Sequence, residues 1–240
     1  MIVKKIAGLS RKLLRPKYCG AVIVAAGSAS RMGGIDKVMA PLQGEPMILH
    51  TVRAFENTDV IRQIVIVTRP DLIVEISRLC KDFTKVTAVI AGGADRPESV
   101  RLGLGALGKR VKLAAIQDGA RPFASPELID RTVRAANAYG AAAPAIPVKD
   151  TIKIAEDQFV AATPDRNRLQ AVQTPQIFDI DLIRGALEKA KKDGAQITDD
   201  CSAVERLGMN IKLVEGDERN LKITTPMDLK IAQLLLEEEQ

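Results

Sequence analysis

The 240-residue sequence has no tryptophan, two tyrosines, five phenylalanines and a single histidine. Surfaces that bind single-stranded nucleic acid stack bases on aromatic side chains, so this composition disfavours such a partner. The three cysteines, Cys19, Cys80 and Cys201, are far apart and odd in number. They predict free thiols in a reducing compartment rather than a disulfide framework or a zinc site. No apolar run is long enough to span a bilayer, and we expect a cytoplasmic protein without a membrane partner.

Positive charge is concentrated at the beginning of the chain. The formal net charge is +5, but residues 1–18 contain no acid and hold Lys4, Lys5, Arg11, Lys12, Arg15 and Lys17. The rest of the chain is close to neutral, which disfavours a nucleic-acid partner because a surface that tracks phosphates needs excess positive charge. We predict that residues 1–18 are a solvated basic extension and that residues 19–240 form a single domain. Contact of the extension with a membrane surface, or a targeting role, is the alternative.

Short apolar segments alternate with amphipathic ones from residue 20 onward. The β-branched runs predict strands over residues 21–24, 64–68, 86–90, 113–116 and 142–146. The segments between them predict helices over residues 46–55, 72–79, 98–107 and 126–139. This alternation predicts an α/β fold with a mostly parallel sheet covered by helices on both faces. Ligands of such sheets bind beyond the carboxyl ends of the strands, so the loops there are the candidate site.

Residues 147–172 interrupt this alternation. Two extended stretches flank a polar turn at residues 156–158, which predicts a projecting β-hairpin arm rather than another crossover. After the arm, residues 181–191 and 200–207 predict two helices, residues 211–214 predict a strand, and a last helix is expected to begin near Pro226.

The loop after the first predicted strand, residues 25–37, is rich in small residues. Its backbone N–H groups can approach a polyphosphate, while Arg31 and Lys37 supply positive charge. Neither the P-loop pattern nor the dinucleotide-binding glycine pattern is present, which disfavours a dinucleotide-dependent oxidoreductase. An ordinary turn between strand and helix is the alternative interpretation, and the two cations favour a phosphate site over it.

The loop after the third predicted strand contains two adjacent glycines and leads to a serine. Gly92 and Gly93 allow close approach of a ligand, and the Ser99 hydroxyl suits the edge of a base or a sugar. Asp95 and Glu98 lie in the same segment and are predicted only to cap the following helix.

The fourth predicted strand ends with an acid and an arginine, Asp118 and Arg121. A carboxylate at this position is well placed to hold a hard cation that binds phosphates, and Arg121 can grip a further phosphate with two nitrogens. A buried Asp118–Arg121 ion pair without a ligand is the alternative. Lys222, after the last strand, can reach the same edge of the sheet. No Ser-His-Asp or Cys-His arrangement is present, so these groups predict phosphoryl or nucleotidyl transfer, in which positioning and charge neutralisation supply most of the rate.

Together these segments resemble the 2-C-methyl-D-erythritol 4-phosphate cytidylyltransferases of the non-mevalonate isoprenoid pathway, from about Gly20 to Leu236. The motifs that carry the resemblance are Ala25-Ala-Gly with Arg31-Met and Lys37, Gly92-Gly93 with Arg96 and Ser99-Val100, Asp118-x-Ala-Arg121-Pro, Pro147-Val-Lys-Asp-Thr151, Asp165-Arg166-Asn, Gln173-Thr-Pro-Gln176, Ile197-Thr-Asp199 and Asn220-Leu-Lys-Ile-Thr-Thr-Pro. Each motif alone is weak, but their shared order and spacing are specific. The resemblance implies a Rossmann-like fold of the nucleotide-diphospho-sugar transferase type. It also implies transfer of CMP from CTP to methylerythritol phosphate, with release of pyrophosphate.

The resemblance also implies the roles of individual residues. Those assigned to cytosine and ribose are Ala25, Ala26, Gly27, Gly93 and Ser99. Those assigned to catalysis are Arg31 and Lys37 on the phosphates, Asp118 as the ligand of Mg²⁺, and Lys222 near the α-phosphate. Those assigned to the acceptor phosphate are Arg121, Thr174 and Thr198, with Thr151 and Arg166 supplied by the arm of a second subunit. The implied protein is a homodimer whose arms complete each other's acceptor site.

Two positions depart from the family pattern. Val38-Met39 follows Lys37 where relatives often have glutamine and an aromatic residue, and Ala94 stands where some relatives carry an acid. The nearest alternative function is a ribitol-5-phosphate cytidylyltransferase, which shares the first loop, the Asp-x-x-Arg-Pro segment and a similar lysine motif. A non-catalytic nucleotide-binding protein is the more remote alternative, and it is disfavoured because Lys37, Asp118 and Lys222 are all present.

Overall fold

The computed structural model describes residues 18–27 and 36–237. The strands are β1 (Cys19–Ala25), β2 (Pro41–Leu42), β3 (Glu45–Pro46), β4 (Ile61–Thr68), β5 (Val86–Ala91), β6 (Leu113–Asp118), β7 (Ala141–Pro147), β8 (Ile154–Glu156), β9 (Phe159–Ala162), β10 (Gln170–Val172), β11 (Gln176–Asp179) and β12 (Lys212–Glu215). The α-helices are α1 (Met47–Glu56), α2 (Ile73–Leu79), α3 (Arg96–Ala106), α4 (Pro126–Tyr139), α5 (Ile180–Lys192), α6 (Asp200–Glu205) and α7 (Pro226–Glu237).

The main sheet has eight strands, and its central part is parallel. Strands β5, β4, β1 and β6 lie side by side in parallel register. Strand β11, which the sequence analysis did not predict, then pairs antiparallel with both β6 and β7. Strand β7 carries β12 in parallel on one edge and β10 antiparallel on the other. The predicted mostly parallel α/β sheet is confirmed, and its parallel order ends at β6, where β11 enters in the opposite direction.

Both faces of the sheet are buried under helices. One core cluster joins Ile23 of β1 to side chains of α1, α2 and α4, and the other joins Val22 of β1 to side chains of α3, α5 and α6. Neighbouring residues of β1 fall in opposite clusters because successive side chains of a strand point to opposite faces. A strand buried on both faces needs apolar residues at every position, which is why the predicted strands are continuous apolar runs.

Side-chain caps begin the helices that border the candidate site. The Asp95 carboxylate accepts the Glu98 N–H at 2.8 Å at the start of α3, so the predicted capping role of Asp95 is confirmed. Asp199 and Ser202 form a reciprocal capping box at the start of α6. These caps fix the first turns of two helices at the edge of the sheet where the loops converge.

The predicted β-hairpin arm is present as a separate two-stranded sheet of β8 and β9. Asp157 and Gln158 at its tip have φ angles of 47° and 70°, as the two central residues of a tight hairpin turn of type I′ require. Phe159 on the arm is 78% exposed. The arm is shorter than predicted, because β10 pairs with β7 in the main sheet.

Across residues 18–27 and 36–237, no helix combines the length and the apolar character needed to cross a bilayer. The basic segment predicted as an extension lies outside the described residues except for Tyr18.

Candidate active site

A cavity of about 400 Å³ opens at the carboxyl ends of β1, β5 and β6. This is the edge at which parallel sheets position ligands, and the volume is typical of sites for small molecules. The residues that line it are Val24, Ala25, Ala26, Gly27, Lys37, Val38, Gly93, Ala94, Asp95, Arg96, Ser99, Asp118, Ala120 and Lys222. The cavity therefore brings together every described residue assigned to the nucleotide or to catalysis.

The glycine loop after β5 packs so tightly that a side chain would not fit. A Cβ atom on Gly92 would lie 2.5 Å from Cβ of Ala26 and 2.8 Å from Oγ of Ser99. Ser99 holds the loop, since its Oγ accepts the Gly93 N–H at 3.1 Å and donates to the Asp95 carbonyl oxygen at 2.8 Å. Because the hydroxyl proton of Ser99 is already donated, only its acceptor capacity is left for a ligand.

Asp118 is the charge around which the cations of the site gather. Lys222 Nζ lies 2.7 Å from its Oδ2, Arg96 Nη2 lies 3.3 Å from its Oδ1, and Arg121 Nε lies 4.0 Å from its Oδ2. Burial alone would raise the pKa of Asp118, but Arg96 and Lys222 outweigh it and hold the pKa below its ordinary value. Asp118 is therefore an ionised carboxylate at neutral pH. The Asp118–Arg121 contact considered from the sequence is the longest of the three.

Arg96 and Asp200 belong to the same cluster, although no role was predicted for either residue. Arg96 Nη2 also lies 2.8 Å from Oδ2 of Asp200, so one guanidinium bridges two carboxylates. Burial would lower the pKa of Arg96, but the two acids outweigh it and raise the pKa. Asp200 is fully buried, which raises its own pKa although Arg96 acts in the opposite direction. Asp200 follows the capping acid Asp199, so its local sequence does not distinguish it from an ordinary exposed acid at a helix start.

A chain of hydrogen bonds ties Asp118 to the segment that carries Lys222. Arg121 Nη1 donates to the Asn220 carbonyl oxygen at 2.6 Å, and Asn220 Nδ2 donates to the Thr174 carbonyl oxygen at 2.9 Å. Thr174 Oγ1 in turn accepts the Asp118 N–H at 3.2 Å. Burial lowers the pKa of Arg121, with Asp118 opposing that effect. Arg121 and Thr174, both assigned to the acceptor, are thus part of one network with Asp118.

Lys37 lines the same cavity, in the turn that leads to β2. Val38, the first residue of the departure from the family pattern, is 1% exposed and packs in the core cluster of β1, α1, α2 and α4. The unusual residue behind Lys37 therefore anchors the turn. Arg31, the other cation assigned to the phosphates, lies outside the described residues.

Thr151, Arg166 and Thr198 are not among the described residues that line this cavity. Thr151 and Arg166 are exposed on the arm, and Arg166 Nη1 donates to the Lys149 carbonyl oxygen at 2.9 Å. Thr198 is exposed at a second cavity of about 760 Å³, which shares the wall of Gly93 and neighbouring residues with the first. A single chain therefore leaves the arm residues apart from the Asp118 cluster.

The acids of the site offer a partial set of cation ligands. In the described part of the chain, no group of three or more histidine, cysteine or acidic side chains is placed to hold a metal on its own. Magnesium in nucleotide sites takes one or two carboxylates and completes its shell with phosphate oxygens and water. The ionised Asp118, which lines the cavity, fits such a shared site.

Comparison with known proteins identifies the family. The family model for 2-C-methyl-D-erythritol 4-phosphate cytidylyltransferase matches residues 19–238. The chain belongs to this family. A curated cytidylyltransferase of that name from Caldanaerobacter subterraneus subsp. tengcongensis is 43% identical over 225 residues, which cover 90% of this chain and 97% of that one. The one from Geobacillus kaustophilus is 45% identical over 219 residues, which cover 90% and 96%.

Solved structures agree with this assignment. The crystal structure of 4-diphosphocytidyl-2C-methyl-D-erythritol synthase from Anaerococcus prevotii has a TM-score of 0.85 and 31% identity to this cytidylyltransferase, and the match covers 94% of this chain and 99% of that one. The Thermus thermophilus enzyme named 2-C-methyl-D-erythritol 4-phosphate cytidylyltransferase has a TM-score of 0.75 at 31% identity and covers 90% and 98%. The predicted family, fold and enzyme class, a nucleotidyltransferase, are confirmed.

The three cysteines of the cytidylyltransferase are free and buried. Burial raises the pKa of Cys19 to about 12 and that of Cys80 to about 11, and it raises the pKa of Cys201 as well. Their burial predicts low reactivity, because thiols without a thiolate form at neutral pH are poor nucleophiles.

Proposed function

We propose that this cytidylyltransferase transfers CMP from CTP to 2-C-methyl-D-erythritol 4-phosphate and releases pyrophosphate, within non-mevalonate isoprenoid synthesis. The observation that carries the proposal is the gathering of Lys222, Arg96 and Arg121 around Asp118 at the carboxyl edge of the sheet. Relatives named for this acceptor, at 43% and 45% identity, favour it over ribitol 5-phosphate. Residues 19–240 act as one catalytic unit, and residues 1–18 are an extension outside it.

The cytidine part of CTP is assigned to the wall formed by the ends of β1 and β5. Ala26 is half-buried and Gly27 is exposed, and their small size leaves their backbone groups accessible to base and ribose. Ala25 ends β1 and lines the same cavity. Gly93 and Ser99 lie across the same cavity. The remaining acceptor capacity of Ser99 Oγ suits the amino group of cytosine, which donates hydrogen bonds.

The triphosphate is assigned to Arg31, Lys37 and Lys222. The side chain of Lys222 contacts Asp118 but is 41% exposed. Because Lys222 is not enclosed by protein, its ammonium can turn toward a phosphate. An oxygen of the acceptor phosphate attacks the α-phosphorus in line, one P–O bond forms, and the bond to the β-phosphate oxygen breaks. The attacking phosphate is already an anion, so neither a general base nor a covalent enzyme intermediate is needed. The cations offset the repulsion between the two anions and stabilise charge at the five-coordinate phosphorus.

Asp118 is the residue proposed to hold Mg²⁺ together with the phosphates of CTP. When bound, the ion supplies positive charge to the phosphate oxygens. Arg96 keeps the Asp118 carboxylate ionised and oriented from the opposite side, through its contacts at 3.3 Å to Asp118 and 2.8 Å to Asp200.

The acceptor phosphate is assigned to Arg121, Thr174 and Thr198 of one chain and to Thr151 and Arg166 of a second. The arm supports this division, because its strands β8 and β9 pair only with each other among the described residues and expose apolar side chains. We therefore propose a homodimer in which each arm reaches the partner's site.

Pyrophosphate release tests the proposal. Purified protein is incubated with CTP and MgCl₂ together with either 2-C-methyl-D-erythritol 4-phosphate or ribitol 5-phosphate, and EDTA is the metal control. We expect release with the first acceptor only, and loss of release with EDTA. Release with ribitol 5-phosphate alone would assign the alternative acceptor, and CTP binding without release from either would favour a non-catalytic nucleotide-binding protein.

A further inference from the structure

An ion pair links the end of β4 to the turn that carries Lys37. Asp36 precedes Lys37, and its Oδ2 pairs with Nη1 of Arg69, the residue that follows β4. The other carboxylate oxygen, Oδ1, accepts the backbone N–H of Val38 at 3.0 Å. One oxygen of Asp36 therefore ties the turn to the sheet, while the other closes the turn around Lys37.

Arg69 is held from its other side by Asp71. Nε and Nη2 of Arg69 donate to Oδ1 and Oδ2 of Asp71 at 3.1 and 3.0 Å. A guanidinium engaged through two parallel bonds is fixed in orientation, so its third nitrogen is presented to Asp36 in one direction. Arg69 thus holds the turn at a fixed distance from the end of β4.

The Asp36–Arg69 pair is better shielded than an ordinary surface pair of the same protein. The side chains of Arg69 and Asp36 are 29% and 19% exposed, whereas those of the Arg53–Glu45 pair are 41% and 43% exposed. Water and salt weaken exposed pairs until they contribute little, and shielding reduces that loss. The tether is therefore suited to holding the turn at physiological ionic strength.

The residue after Lys37 is fixed as well. The Val38 side chain is buried in the core, and its carbonyl oxygen accepts the Ile48 N–H of α1 at 2.9 Å. The backbone of Lys37 is thus held on both sides while its side chain lines the nucleotide cavity. Charge stabilisation in a transition state is most effective when the charged group is ordered before the substrate arrives.

We propose that Asp36 and Arg69 are positioning residues for Lys37, and that their ion pair orders the turn so that the Lys37 ammonium meets the triphosphate in one orientation. This inference rests on the phosphate-binding role proposed for Lys37. Neither Asp36 nor Arg69 lines the cavity, and both act on the nucleotide only through Lys37.

The test compares Asp36→Asn, Arg69→Gln and their combination in the full chain. Asp36→Asn keeps an oxygen that can accept the Val38 N–H but removes the negative charge. It therefore tests the ion pair without removing the hydrogen bond that closes the turn. We expect each single variant to lower kcat/KM for CTP about tenfold, less than the ~100-fold loss that a 1 Å misplacement causes. The combined variant should lose no more than either alone, because both remove the same contact. KM for the acceptor should not change.

The deciding readout is a cycle between Arg69→Gln and Lys37→Ala. If Arg69 acts through Lys37, Arg69→Gln should have almost no further effect once Lys37 is alanine. An equal fold-loss with and without Lys37 would overturn the positioning role, because a general loss of structure lowers activity in both backgrounds. Arg69→Lys, which keeps a charged contact to Asp36, should recover part of the activity.

Two controls separate this inference from the proposed function. Glu45→Gln removes the charge from the more exposed Arg53–Glu45 pair, which does not hold the turn, and we expect it to keep near-normal activity. If Lys37→Ala loses most of its activity while Asp36→Asn and Arg69→Gln are as active as the unaltered protein, the positioning role is wrong and the role of Lys37 stands. Near-normal activity of Lys37→Ala would instead overturn the role of Lys37 itself.

Discussion

Replacing Gly103 by alanine is expected to destabilise this enzyme, whereas the same change at Gly105 in the same helix is expected to stabilise it slightly. Both glycines lie in α3. A Cβ atom on Gly103 would lie 2.3 Å from Cγ1 of Val22 and 2.8 Å from Cγ2 of Val67, two side chains of the central sheet. Among the described residues, nothing lies within 4 Å of the corresponding position on Gly105.

Two effects set the expected change in the free energy of unfolding, and only one of them is common to both variants. Alanine gains about 0.5–1 kcal/mol over glycine within a helix, and both variants receive this gain. Only Gly103→Ala also forces side chains apart, which costs about 1–3 kcal/mol in a well-packed core. The free energy of unfolding of Gly103→Ala should therefore lie about 2 kcal/mol below that of Gly105→Ala. In a protein of this size, that difference corresponds to roughly 4–8 °C in Tm.

Urea unfolding followed by circular dichroism measures this difference, and calorimetric titration with CTP measures its consequence at the site. Helix α3 carries Arg96 and Ser99 in its first turns, so pushing it away from the sheet should weaken CTP binding in Gly103→Ala and not in Gly105→Ala. If Gly103→Ala is as stable as Gly105→Ala, the close packing of α3 on β1 and β4 does not have the energetic role given to it here.

Two shorter predictions concern titratable side chains. Cys19, Cys80 and Cys201 are buried, and burial raises their pKa values. None of the three thiols should therefore react with a disulfide reagent at pH 8 in the folded enzyme, and all should react in urea. One fast-reacting thiol in the folded state would contradict this prediction. Arg101 and Lys191 lower the pKa of Glu98 from 4.5 to about 2, so its stabilising contribution is complete above pH 4.5 and is lost as pH falls toward 2. The stability advantage over Glu98→Gln, measured by urea unfolding, should thus be smaller at pH 3 than at pH 7, and an advantage that is unchanged would contradict the assigned cause.

Local patterns predicted the parts of the fold that depend on local physics. Continuous apolar runs predicted β1, β4, β6 and β7, because strands of a sheet covered on both faces bury most of their side chains. A run rich in β-branched residues predicted the edge strand β5, whose side chains are mostly half-buried. The cap at Asp95 and the hairpin tip at Asp157 were also predictable, since each depends on residues within a few positions. The antiparallel strand β11 was not predicted, because its pairing with β6 and β7 is set by tertiary contacts rather than by its short sequence.

The residues of the candidate site also fall into those that the sequence predicted and those that it did not. The topology of a parallel sheet explains why the loops holding Gly93, Asp118 and Lys222 were expected to meet at one edge. The pairing of Arg96 with Asp200, and that of Asp36 with Arg69, joins residues far apart in sequence. Neither Asp200 nor Arg69 lies in a pattern that distinguishes it from an ordinary helix-start acid or surface cation. Only the fold reveals which acid each arginine faces.

The central claim is that the cations around Asp118 form the site at which CMP is transferred. The measurement that tests it most directly is the rate of pyrophosphate release by Lys222→Ala with saturating CTP, MgCl₂ and 2-C-methyl-D-erythritol 4-phosphate, with thermal unfolding as the check on folding. Loss of one preorganised charge of this kind lowers turnover by on the order of 10²–10³, and we expect a loss of that size in a variant that still unfolds cooperatively. A folded Lys222→Ala variant that releases pyrophosphate at nearly the normal rate would contradict the account.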